Sequence, residues 1–232
     1  MKTIGIIGGL SPQSTILYYE ALNRQVQQRL GGHHNAKILL SSVDFGAFVA
    51  LKEAGDWATQ GRLLAHEAAA LERAGANFII LATNTMHKLA DDITKAITIP
   101  FLHIGAVTAN HILQDNKNKV GLLGTRYTME LDFYKQALAD KDIDAIIPDP
   151  QGIEDVNRII YDELCHGIIS AESRARYVAI IEALKREGAQ GVILGCTEIT
   201  MLVKQTDTDL KLFDTSQIHI DAAVDFAFGQ NV

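Results

Sequence analysis

Two short segments carry most of the side chains able to move a proton. Gly195-Cys196-Thr197-Glu198 sets a thiol, a hydroxyl and a carboxylate in a row, directly after the apolar run Val192-Ile193-Leu194. Thr83-Asn84-Thr85 follows the similar run Ile79-Ile80-Leu81-Ala82. The segments align 113 residues apart, with Thr83 opposite Cys196. Two such groups facing one carbon from opposite sides are what stereoinversion requires: one takes a proton from one face and the other returns a proton to the opposite face. At a strand end ahead of a helix start, backbone N–H groups and the helix dipole are expected to lower the thiol pKa of Cys196. Asn84, Thr85 and Thr197 offer amides and hydroxyls that suit the carboxylate of a small zwitterion. Glu198 either assists proton transfer or compensates a helix dipole. For Cys196 the alternative is a small buried hydrophobe.

These residues need a scaffold, and the chain reads as alternating strands and helices. Short β-branched runs at 3–8, 37–43, 77–82, 100–104, 119–123, 144–147, 191–194 and 211–213 are mostly continuous in apolar residues, as in sheets covered on both faces. Helical stretches are predicted at 12–30, 57–74, 86–96, 128–139, 153–164, 171–187 and 217–228. In the second of these Leu63, Leu64, Ala68 and Leu71 form a stripe that can lie on a sheet. Gly75 and Gly188 stand where helices should stop. Such alternation implies parallel βαβ units.

The pattern also repeats. Ile4-Gly5-Ile6-Ile7-Gly8 matches Val120-Gly121-Leu122-Leu123-Gly124, and the run from Gly75 to Leu81 matches that from Gly188 to Leu194. A weaker match pairs Phe101-Leu102-His103 with Leu212-Phe213-Asp214. Three matches in order, at nearly one offset, imply two similar halves. The fold class expected is α/β, with two pseudo-symmetric, doubly wound, parallel-sheet (Rossmann-like) domains and the active site between them. Residues 1–98 plus 210–232 are assigned to the first domain and 99–209 to the second. Ligands in such sheets bind at the carboxyl ends of the strands. There, Gly8-Gly9-Leu10-Ser11 and Gly124-Thr125-Arg126-Tyr127-Thr128 are either anion cradles, with Ser11 and Thr125 as binding residues, or merely tight turns. Neither is a dinucleotide or P-loop fingerprint. His87 can orient groups in the site or cap a helix, while Cys165 lacks a partner at metal-ligand spacing and reads as structural.

Composition narrows the function classes. With 47% hydrophobic and 21% charged residues the chain can form a packed core, so disorder is excluded. A net charge of −7 argues against nucleic acid as the partner. Two cysteines make no disulfide framework, and no apolar run is long enough for a membrane span, so a cytoplasmic location is expected.

Taken together, the motifs resemble the aspartate/glutamate racemase superfamily, the pyridoxal-phosphate-independent amino-acid racemases. The residues that carry the likeness are Ile6-Ile7-Gly8-Gly9-Leu10-Ser11 with Ser14-Thr15 and Tyr18-Tyr19, and Ser42-Val43-Asp44-Phe45. It continues through Thr83-Asn84-Thr85-Met86-His87-Lys88, Leu123-Gly124-Thr125-Arg126-Tyr127-Thr128-Met129, Gly195-Cys196-Thr197-Glu198-Ile199 and Phe213-Asp214-Thr215. The resemblance implies an isomerase that works without cofactor or metal, a homodimer, and an amino acid such as aspartate or glutamate as substrate. It implies one cysteine from each domain on either side of the substrate Cα. The second is Cys196, but Thr83 stands where the first belongs, a variant that implies an active but direction-biased racemase. Lys52 and His166 are the bases near the expected distal-carboxylate positions, so substrate breadth stays open. The alternatives are another cysteine-dependent relative (hydantoin racemase, maleate isomerase or arylmalonate decarboxylase), a non-catalytic amino-acid-binding protein, and a cysteine hydrolase.

Overall fold

The computed structural model describes residues 1–230. The chain divides into two compact units, Met1–Val107 with the chain from His219 onward, and Thr108–Ile218. The cuts fall later than the 98/99 and 209/210 boundaries expected from sequence. The strand at 211–214 pairs within the second unit's sheet, which keeps the crossing segment there until Ile218.

The first unit runs β1 (Ile4–Gly8), α1 (Pro12–Leu30), β2 (Ile38–Ser42), α2 (Phe45–Glu53), α3 (Trp57–Arg73), β3 (Phe78–Leu81), a 3₁₀ segment (Thr85–Leu89), α4 (Ala90–Ala96) and the start of α5 (Ile104–Gln114). The second unit continues with β4 (Lys119–Gly124), α6 (Arg126–Glu130), α7 (Asp132–Ala139), β5 (Asp144–Ile146) and α8 (Pro150–Arg158). A π-helical turn (Ile159–Glu163), a 3₁₀ turn (Leu164–His166), α9 (Ala171–Arg186), β6 (Gly191–Gly195), α10 (Ile199–Leu202), β7 (Lys211–Asp214) and α11 (Thr215–Ala227) follow; α11 ends in the first unit.

All strands are parallel, in the orders β2-β1-β3 and β5-β4-β6-β7. The repeat seen in the sequence is a repeat of register. Ile7 pairs with Leu81 in one sheet and Leu123 with Leu194 in the other. The weaker match is real too: Phe101 bridges Ile79 where Leu212 pairs with Val192. The expected strand at 100–104 shrinks to this single bridge. His103 Nδ1 accepts the N–H groups of Gly105 (3.1 Å) and Ala106 (3.4 Å), which turns the chain into α5.

Side-chain alternation places one apolar set on each sheet face. In the first unit Ile4, Ile6, Phe78 and Ile80 pack with Tyr18, Leu22 and Val224, while Ile7, Ile79 and Leu81 pack with Leu64, Ala68, Leu71 and Ile93. Leu63, expected to share the α3 stripe, is exposed, because it sits about 100° round the helix from Leu64. The second core gathers Leu123, Met129, Val156, Ile160, Tyr177, Ile181, Val192 and Leu194. Local signals start and stop the helices: Ser11, Asp44, Asp56, Thr125, Asp149 and Ser170 each accept an N–H of the following first turn. Gly75 (φ +99°) and Gly188 (φ +95°) end the helices before β3 and β6, as expected. No helix among the described residues is long and apolar enough to cross a membrane.

The turn after β1 depends on one residue. Gly9 has φ +89°, and a Cβ there would lie 2.2 Å from the Val43 carbonyl oxygen. Its N–H donates to Thr15 Oγ1 (2.8 Å), and Thr15 in turn donates to the Ser11 carbonyl (3.0 Å). Gly9→Ala should therefore destabilise the protein by about 1–3 kcal/mol, from backbone strain plus the clash. Urea unfolding measures this, and wild-type stability would show that the turn is not constrained as described.

Candidate active site

The carboxyl ends of β3 and β6 present the residues singled out from sequence, one set in each unit. In the first unit Thr83 follows Ala82, whose N–H still donates to Ile7, and Thr83 N–H donates to Leu81 (both 2.9 Å). Thr83 and Thr85 are half-buried, and Asn84 is buried. The Asn84 carbonyl accepts His87 N–H at 3.0 Å, closing the first 3₁₀ turn. Ser11 caps α1 and accepts Ser14 N–H at 3.3 Å. Ser14 Oγ donates to the Ala82 carbonyl (2.9 Å), so the β1 turn and the β3 end are tied together.

In the second unit the chain makes a tight turn at 196–198, half-buried, before α10. Cys196 Sγ donates to Glu198 Oε2 at 2.9 Å, and Thr197 Oγ1 donates to the same oxygen at 2.7 Å. Thr125, buried, caps α6, and its hydroxyl lies 3.2 Å from that of Thr128.

The thiol corrects one expectation. Burial, then the negative charge of Glu198 and the hydrogen bond to it, push the Cys196 pKa well above the ordinary thiol value rather than below it. The following helix is a single turn that starts at Ile199, so its dipole is too small to offset a carboxylate in contact. Cys196 rests as a neutral thiol with a base already attached to its proton.

Sequence reading missed Tyr161. It lies on the π-helical turn, half-buried, and its phenol is pushed up by burial and then by charge at Cys196, Cys165, Tyr127 and Glu198. In sequence it is one residue of an ordinary helical pattern, and nothing in that pattern signals a π-turn. Cys165 is exposed rather than packed as a structural cysteine would be. Lys52 falls in the last turn of α2, and His166 in the exposed 3₁₀ turn. No group of His, Cys, Asp and Glu side chains among the described residues is arranged to hold a metal ion.

A family model described as Asp/Glu/hydantoin racemase matches residues 7–223. The chain belongs to the Asp/Glu/hydantoin racemase family. As a member it is an isomerase, and the two parallel α/β units are the family fold. Among solved structures it is similar to a candidate Asp/Glu racemase from Yersinia pestis, with 52% identity, TM-score 0.95, and 98% of this chain and 100% of that one covered. It is similar as well to an aspartate racemase homologue from Pyrococcus horikoshii OT3, with 36% identity, TM-score 0.87 and the same coverage. Among curated proteins it shares 23% identity with the broad-specificity amino-acid racemase RacX of Bacillus subtilis, over 92% of each chain.

The first unit of this racemase-family chain also holds buried histidines that give stability a pH dependence. His219 Nε2 donates to the Leu102 carbonyl (2.8 Å), and its Nδ1 accepts Tyr18 O–H (2.9 Å). Burial lowers its pKa from 6.5 to about 4, and lowers those of His87 and His103 as well. The unfolded chain thus takes up protons below about pH 6.5 that the folded chain refuses. This stability is complete above pH 6.5 and is lost as pH falls towards 4, by on the order of 3 kcal/mol for His219 alone. Urea unfolding at pH 7.5 and 4.5 should show the loss, and His219→Gln should reduce it, leaving the part that His87 and His103 contribute. A pH-independent midpoint would contradict the buried neutral assignment.

Proposed function

We propose that the protein is a cofactor-independent amino-acid racemase, with aspartate or glutamate as substrate, in which Thr83 and Cys196 serve opposite faces of the substrate Cα. The observation that carries this reading is the equivalence of the two positions. Each is the second residue beyond a registered strand pair, Ile7–Leu81 in one sheet and Leu123–Leu194 in the other. The names of its relatives support an amino-acid substrate, and those of the two similar structures favour an acidic one.

The two residues do unequal work. Cys196 abstracts a proton only after its own has moved to Glu198, whose Oε2 already accepts it. Sγ then takes the Cα proton of one enantiomer, and the resulting carbanion is stabilised where Ser11, Asn84, Thr85, Thr125 and Thr197 set hydroxyls and amides for the substrate carboxylate. Thr83 supplies a proton to the opposite face, which leaves an alkoxide, a far poorer leaving base than a thiolate. Returning the proton to the Cys196 face is the easier branch. Because two enantiomers have equal free energy, kcat/KM is the same in both directions. The bias therefore shows as isotope exchange outrunning inversion for one enantiomer.

Proton NMR in D₂O with each enantiomer of aspartate and glutamate, and with neutral amino acids, tests this. One enantiomer should exchange its Cα–H faster than it racemises, and Cys196→Ala should abolish both processes. Equal exchange of both enantiomers would contradict the assignment, and no exchange with any amino acid would turn the reading towards a binding protein or a different reaction of the family.

Glu198 has a separate test. As the acceptor of the thiol proton it should contribute on the order of 10²-fold to exchange, so Glu198→Gln lowers the rate by about that factor. Removing its charge also relaxes the upward push on the thiol, which alone would raise the rate at neutral pH. A faster Glu198→Gln enzyme would mean that Glu198 only perturbs the thiol.

A further inference from the structure

Thr83 is backed by three histidines that the proton-transfer scheme leaves unused. His87 Nδ1 lies 2.8 Å from the Thr83 carbonyl oxygen, so this nitrogen carries the hydrogen and donates. That leaves Nε2 as a bare acceptor, fully buried and without a hydrogen-bond partner among the described residues. The ring is fixed from several sides: His103 stands edge-on at 4.7 Å, Phe101 is tilted at 5.5 Å and His219 is edge-on at 5.8 Å. His103 is held in turn by the first N–H groups of α5, and His219 by Tyr18 of α1 and the Leu102 carbonyl.

We propose that His87 is the positioning residue for Thr83: its Nδ1–H clamps the Thr83 carbonyl, and the aromatic cluster behind it holds the imidazole still, so that the Thr83 hydroxyl keeps its direction at the strand end. The proposal rests on the racemase reading above. The donor reaches the carbonyl and not the hydroxyl, so His87 acts through geometry rather than by carrying a proton. Its other nitrogen is buried and makes no hydrogen bond among the described residues. A buried unpaired acceptor is unfavourable, and an apolar side chain of similar shape would pack without that penalty. The clamp is what an apolar replacement lacks. The second unit has no matching imidazole: Thr200, the aligned residue, donates its hydroxyl to the Thr197 carbonyl at 2.8 Å, one residue beyond Cys196. The device therefore belongs to the Thr83 side alone.

The test compares His87→Leu with His87→Gln, which keeps an amide donor, in the full-length protein. Racemisation and single-enantiomer Cα deuterium exchange are measured on the same samples. A loose Thr83 should cost His87→Leu about 10²-fold in racemisation, a typical consequence of misplacing a reacting group by an ångström. Exchange at the Cys196 face should continue at the wild-type rate, and His87→Gln should recover most of the loss. If His87→Leu does not fold, His87→Phe keeps a ring against Phe101 and His103 and makes the same comparison. Racemisation and exchange falling together in a folded variant would overturn the proposal, as would undiminished racemisation. Absence of exchange in the wild-type protein would overturn the racemase reading itself.

Discussion

The constraint on which the structure turns is parallel strand register. β3 lies beside β1, and β6 beside β4; in the first sheet side chains alternate between two apolar cores, so a slip of one residue would move every buried side chain there to the opposite face. That cost fixes where each strand ends. It also fixes which residue first leaves the sheet at its carboxyl edge, where ligands of such folds bind. Cys196 is that residue after β6, and Thr83 follows Ala82, whose N–H still donates to Ile7 beyond β3. Both positions are set by residues that take no part in the proposed chemistry.

The two strand ends are equivalent in backbone and different in chemistry. Beside Cys196 a carboxylate two residues away already accepts the thiol proton, and burial with that charge holds the thiol neutral. Beside Thr83 no carboxylate accepts from the hydroxyl in the contacts described; its carbonyl is gripped by a neutral histidine. On the proposed reading, the Cys196 side moves a proton and the Thr83 side holds a direction. This is a consistent division of labour: a thiol can store or release a proton once a base is at hand, whereas a hydroxyl must rely on placement.

Much of this was legible in the residues themselves. Continuous apolar runs marked seven strands, Gly75 and Gly188 marked helix ends, and the internal repeat matched the Phe101 and Leu212 segments, which take equivalent places beside Ile79 and Val192. What escaped was structure whose stability comes from elsewhere in the chain. α2 buries only Phe48, so it shows no amphipathic period, and α5 is rich in β-branched and small residues, its start set by the His103 cap. The π-turn that brings Tyr161 near Cys196 has no composition of its own. A strand end ahead of a helix suggests a lowered thiol, whereas α10 is one turn long and Glu198 is in contact. The two strand-end positions could be located from sequence; the direction of the thiol shift followed only from its burial and its contact with Glu198.

On the proposed reading, the Thr83 hydroxyl is what makes proton transfer unequal on the two faces. The most direct measurement is the ratio of Cα deuterium exchange to racemisation for each enantiomer in Thr83→Cys, a substitution that restores a thiol at the equivalent strand end. The account predicts that both enantiomers then exchange at comparable rates and that racemisation speeds up. An exchange ratio that stays as lopsided as in the wild-type protein would contradict it, and would place the asymmetry in Cys196 and Glu198 instead.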